Sequence, residues 1–200
     1  MDKAITLKIF KQKMLADESL PLRKGANNLV FGEGNADTKV MFIGEGPGYW
    51  EDMKGRPFVG NAGKFLDQLL HSIKVERKDV FITNIVFYRP PGNRDPLEEE
   101  IFAFKKYLDG IIEIINPKVI VTLGRFSMAK FLPGVIISKV HGKHYKINWK
   151  GKEIVVVPMY HPAAGLRRLE VKEETMRDFQ TLAELLEKTN KVDFEQMQLV

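Results

Sequence analysis

Four short stretches hold the side chains best suited to chemistry: the loop Gly44 to Gly48 with Glu45 inside it, the run Glu51 to Gly60 with Phe58, the lone Asn84, and His161 before Pro162. Glycine admits backbone conformations and close approaches that a Cβ forbids. A ligand could therefore touch the main chain here, and a helix opening near Gly60 would aim its N–H groups at an anion; a plain Gly/Pro turn explains the same residues. The pattern is neither a dinucleotide fingerprint nor a Walker loop, since no Gly-Lys-Ser/Thr follows. Glu45, at a strand end, is either a working carboxylate or a surface one. Asn84 closes an apolar run, and a buried amide must find partners, in the backbone or on the edge of a planar amide-like ligand. His161 has no second ligand at helical or strand spacing, so no metal set is visible. His141 and His144 lie among lysines and are weaker still.

These residues need elements to position them. Four short apolar, β-branched runs read as strands buried on both faces: Lys39–Ile43, Val80–Asn84, Val119–Thr122 and Ile154–Val157. Between them lie helical periodicities at Ala62–Ile73, Leu97–Ile115 and 124–132, with a polar helix over about 172–189. Residues 139–153 read as a hairpin around Lys150-Gly151-Lys152. Strand, helix, strand at this spacing predicts a three-layer α/β/α sandwich with a central, mostly parallel four-stranded sheet, as one domain over residues 1–200. Ligands bind such sheets at the carboxyl ends of the strands. Gly44, Asn84, Gly124 and His161 each follow or end one of the four runs.

Composition narrows the class. Apolar residues make up 44% and charged residues 28% of the 200, ordinary for a globular protein. With no Cys, disulfides and Cys-ligated zinc or iron–sulfur clusters are excluded. No run approaches about 18 consecutive apolar residues, so no membrane span is expected. The opening stretch, with Lys8, Lys11 and Lys13, does not read as a signal peptide, so a cytoplasmic protein is expected. The net charge of +5 is uneven: residues 118–172 carry eleven Lys/Arg against Glu153 and Glu170. That asymmetry suits a one-sided field that attracts a polyanion such as DNA, or simply a solvated face.

Taken together, the loops lift the specificity. The stretches Val30–Asn35, Val40–Gly48, Glu51-Asp52, Gly55–Gly60, Ile82–Asn84, Arg89–Arg94 and His161–Ala164 resemble, in order and spacing, the family 4 uracil-DNA glycosylases, over about residues 17–185. The resemblance implies a DNA repair enzyme that flips uracil out of DNA and hydrolyses its glycosidic bond, leaving an abasic site. It implies Glu45 and His161 as catalytic groups, the first orienting water and the second donating to uracil O2. Asn84 would read the O4 and N3–H edge, Phe58 would stack on the base, Glu51 would crowd a 5-methyl group, and Gly44 and Gly46 would line the pocket. Leu166 would wedge into the duplex, while Arg167 and Arg168 hold phosphates. The partner expected is uracil-containing DNA, single- or double-stranded, bound by a monomer.

Two departures stand out. The family normally holds a [4Fe–4S] cluster on four cysteines, whose aligned positions here are Asp17, Leu20, Tyr88 and Phe104. No cofactor or metal is therefore expected, and Leu20, Tyr88 and Phe104 are expected to pack together in place of the clip. Tyr49-Trp50 stands where many relatives carry acids; the pair could stack on bases or a sugar, or could pack internally. The alternatives to uracil excision are a glycosylase of altered base choice, such as one for hypoxanthine, and an inactive DNA-binding relative.

Overall fold

A computed structural model describes the backbone of residues 2–197 and side chains through Lys188. Among the described residues, six strands form one sheet: β1 (Glu33–Gly34), β2 (Val40–Gly44), β3 (Phe81–Asn84), β4 (Val119–Leu123), β5 (Tyr145–Trp149) and β6 (Lys152–Met159). Their order is β1-β3-β2-β4-β6-β5. The four strands expected from sequence are β3, β2, β4 and β6, mutually parallel. The expectation of four strands is corrected to six, because an antiparallel strand closes each edge. β1 has only two residues, too few to show a period. β5 belongs to the expected hairpin, but its alternation of half-buried and exposed residues did not mark it as part of the main sheet.

The strands feed two apolar layers because successive side chains face opposite ways. Met41, Ile43, Ile120, Ile154 and Val156 join one layer, with helices α1 (Lys3–Ala16) and α4 (Glu98–Ile115). Phe42, Val119, Val121 and Val157 join the other, with α3 (Asn61–Ser72) and α8 (Leu169–Met197). The three-layer sandwich follows. In α4 the stripe Phe104, Tyr107, Leu108, Ile111, Ile112 and Ile115 is buried. Its first turn carries Glu98, Glu99 and Glu100, suited to the positive end of the helix dipole, and Asn116 ends it in the left-handed conformation.

Short helices serve the loops: α2 (Tyr49–Lys54), α5 (Arg125–Ala129), α6 (Ile137–Val140) and α7 (Pro162–Gly165). α2 has too few residues for a helical period to show in the sequence. α8 starts earlier and runs further than its 172–189 pattern suggested. No helix among the described residues is long and apolar enough to cross a membrane.

The positions aligned with cluster cysteines do not fit an iron–sulfur group. Leu20, Tyr88 and Phe104 are buried in one continuous apolar layer, and the Tyr88 and Phe104 rings lie 6.2 Å apart. Asp17 accepts hydrogen bonds from Ser19, from Tyr107 Oη at 2.6 Å and from Lys106 Nζ at 2.9 Å. Those bonds hold its carboxyl well below the usual range, while burial and the bond to Asp17 push the Tyr107 phenol up to about 12. Packing plus a small polar knot fills this region.

Candidate active site

The carboxyl ends of β2, β3 and β6 meet at a cleft of about 420 Å³. Gly44 and Asn84 are register partners at the ends of β2 and β3. Asn84 is 1% exposed, and its Oδ1 has no hydrogen-bond partner within the protein. A buried acceptor left free costs stability, and Asn84 is among the residues that line the cleft, so the free oxygen marks a place for a donor. Gly44 lies beneath the lining rather than in it: a Cβ there would collide with Asn84 Oδ1 and with the Phe58 ring. Gly46 lines the cleft directly.

Phe58 is held in a conformation that bulky residues rarely adopt, with φ +50°. Two side chains hold the turn, one through its N–H groups and the other through its carbonyls. Glu51 Oε1 accepts the N–H groups of Val59 and Gly60, each at 2.8 Å. Arg77 donates to the carbonyls of Pro57 at 2.8 Å and Phe58 at 3.2 Å, and it pairs with Glu33 at 2.6 Å. Glu51 therefore lines the cleft with one carboxylate oxygen committed to the backbone.

His161 follows β6 and caps α7, its Nδ1 accepting the Ala163 N–H at 3.2 Å. That bond leaves the proton on Nε2. The ring opens on the cleft and is partly buried, and burial lowers its pKa to about 4, with Glu51 opposing and Arg167 assisting. The imidazole is neutral across the physiological range. Its ring lies 5.6 Å from that of Phe58, at 30°.

Glu45 reaches the turn after β4. Its Oε1 accepts the Phe126 N–H at 3.2 Å, and Gly124, at φ +106°, has no Cβ to block the carboxylate. Burial raises the Glu45 pKa; the Phe126 bond opposes, and Asp95 adds to the rise. Asp95 in turn pairs with Arg125 at 2.5 Å.

The structure thus brings Glu45, Gly46, Glu51, Phe58, Asn84, His161 and Arg167 to one cleft. Leu166, 50% exposed, and Arg168 lie just outside it. The basic excess of residues 118–172 is divided: Arg125, Arg167 and Arg168 lie at or beside this rim, and others lie at the far end of the sheet. Lys118, Lys150 and Lys152 sit at the amino ends of β4 and β6, and Lys130 and Lys150 are paired with Asp109. Sequence reasoning missed Arg77 and Asp95, and placed Arg125 at the rim without a role. No motif marks them, and their roles come from contacts between distant segments.

Comparison with known proteins gives a consistent answer. The model of the uracil DNA glycosylase superfamily matches residues 31–185. A type-4 uracil-DNA glycosylase from Sulfurisphaera tokodaii is 46% identical over 187 residues, covering 90% of this chain and 84% of the relative. The type-4 enzymes of Archaeoglobus fulgidus and Thermotoga maritima are 43% and 45% identical, covering 87% and 80% of this chain and 90% and 83% of their own lengths.

Proposed function

Because the chain belongs to the uracil-DNA glycosylase superfamily, and within it to the type-4 branch, we propose that it excises uracil from DNA by hydrolysis and leaves an abasic site. One observation carries the reading: a neutral histidine whose free N–H is Nε2, an unpartnered buried amide oxygen and an aromatic ring share a single cleft.

The bond to be broken lies inside the base stack, so the nucleotide must first be extruded, at a cost of a few kcal/mol. In the cleft, Phe58 offers a ring for the base to stack on. Asn84 Oδ1 accepts from uracil N3–H, a donor that cytosine lacks. As the C1′–N1 bond lengthens, its electron pair leaves with the base and charge gathers on O2. His161 Nε2–H donates there, and preorganised donors aimed at developing charge are the largest single source of such rate enhancement. A cationic histidine is not needed. Water forms the new C–O bond at C1′, and the proton it gives up passes through solvent to the departing uracil anion, leaving neutral uracil and the abasic sugar. Glu45, ionised, orients that water and faces the oxocarbenium-like sugar. Glu51 stands at the wall where a 5-methyl group would press. Leu166 supplies an apolar wedge, and Arg167 and Arg168 supply phosphate contacts. One chain brings these groups together, which suits a monomer acting in the cytoplasm on single- or double-stranded DNA.

The test is a single-turnover assay with oligonucleotides carrying uracil, hypoxanthine or thymine, single-stranded and paired. Abasic product from uracil alone supports the proposal. Product from hypoxanthine alone, or tight binding without product, overturns it.

A further inference from the structure

We propose that Tyr49, Trp50 and Arg89 form a stacking platform for an unpaired nucleobase beside the extruded one, so that a single strand is gripped beyond its target nucleotide. This rests on the reading of the cleft as the uracil site.

Large aromatic side chains normally go inside, yet Tyr49 is 48% and Trp50 56% exposed. Internal packing, one of the two roles open to them from sequence, does not hold them. They open α2, between Gly48 and Glu51, which both line the cleft. The two rings meet edge to face, with centroids 5.1 Å apart at 80°, so each fixes the other. The indole lies along the Gly60 backbone, where a Cβ would stand 3.5 Å from Trp50 Cδ1. The pair is therefore ordered and placed at the mouth.

Cations flank both rings. The Arg89 guanidinium lies 5.2 Å from the Tyr49 ring centre, and the Lys54 ammonium 6.0 Å from that of Trp50. Arg89 Nε donates to Asn93 Oδ1 at 2.7 Å, and Asn93 itself lines the cleft. The acids of the same helix are turned inward. Asp52 is buried on Asn27 and Asn28, and Glu51 is bonded to Val59 and Gly60. The outward face thus combines bare aromatic surface with positive charge. A protein seated here would have to desolvate both cations, whereas a nucleic acid strand brings phosphates to them and bases to the rings. In a duplex the neighbouring base is already stacked and paired. Only an unpaired base has a face to give, so the platform favours single-stranded DNA.

The chain has two tryptophans, Trp50 and Trp149, so Trp149→Phe leaves Trp50 as the sole indole reporter. Its emission is titrated with two uracil-free single strands: one with a tetrahydrofuran abasic analogue at the target position between thymidines, and one with tetrahydrofuran at the flanking positions as well. Quenching by the first strand, with at least fivefold weaker response to the second, is expected. In parallel, Tyr49→Ala/Trp50→Ala should lower uracil excision from subsaturating single strands about tenfold and from duplex less than twofold, with the saturated single-turnover rate unchanged; Trp50→Phe should retain most of the single-strand preference. Absent quenching, equal losses on both substrates, or a lost self-association with activity intact overturns the platform. The titration contains no uracil, so it reports on the platform even if the wild type leaves uracil in place. Excision without quenching removes the platform and leaves the proposed function standing.

Discussion

His161 accepts the Ala163 N–H through Nδ1, and this backbone contact two residues along the chain decides which ring nitrogen carries the proton. Burial then keeps the ring neutral, with a pKa of about 4. Nitrogen-15 NMR should show the Nε2–H tautomer with no titration near 6.5 and protonation only towards pH 4. Folding suppresses a protonation that the unfolded chain undergoes near 6.5. Stability should therefore fall as pH drops from about 6.5 towards 4. His161→Ala should slow single turnover at least tenfold, about 1.4 kcal/mol of barrier, with DNA affinity nearly unchanged.

Glu45 is shifted in the opposite direction from His161. It acts ionised, and burial raises its pKa above the ordinary carboxylate value. Activity should fall in acid through a limb lying above the ordinary carboxylate range, and Glu45→Gln should abolish that limb together with at least nine-tenths of the rate. The same substitution removes a buried charge, so thermal unfolding at neutral pH should shift upward. An unchanged acid limb in the variant would remove Glu45 from its role.

Gly44 has no side chain because Asn84 and Phe58 close over it. Gly44→Ala should fold, since the backbone there needs no left-handed conformation. It should nonetheless push the amide and the ring apart and cost at least tenfold in single-turnover rate, read against circular dichroism of the folded protein. Wild-type activity in this variant would show that the two groups need not converge.

The fold's outline was legible because its cues are local. Apolar runs of four or five residues and the helical stripes of α3 and α4 announce themselves, and the strands place Gly44, Asn84 and His161 at one rim by topology alone. Arg77 was not legible: it binds Glu33, Asp67 and the carbonyls of Pro57 and Phe58, contacts that no spacing encodes. The two-residue β1 and the six-residue α2 are shorter than any period that could reveal them. The charge excess over residues 118–172 agrees with a DNA partner but does not locate the site, since neighbours in sequence are dispersed to opposite ends of the sheet, Lys118 and Lys152 at one and Arg167 at the other.

The packing around Phe104 is measurable. Phe104 is fully buried between Phe87, at 5.7 Å, and Tyr88, at 6.2 Å. Phe104→Ala should cost about 3–5 kcal/mol in denaturant unfolding, as for other buried phenylalanines. A loss below about 1 kcal/mol would mean that this region does not hold the fold together.

Phosphate contact by Arg167 and Arg168 predicts a salt effect. Neutralising both should reduce the slope of log affinity against log salt by about 1.8 on duplex DNA. A slope equal to that of the wild type would exclude them as phosphate contacts.

The most direct measurement is a crystal structure with the product uracil bound. The base should stack on Phe58, with N3–H on Asn84 Oδ1 and O2 on His161 Nε2, each within about 3.2 Å. Uracil lodged in another cavity, or held in this cleft without touching Asn84 and His161, would contradict the account.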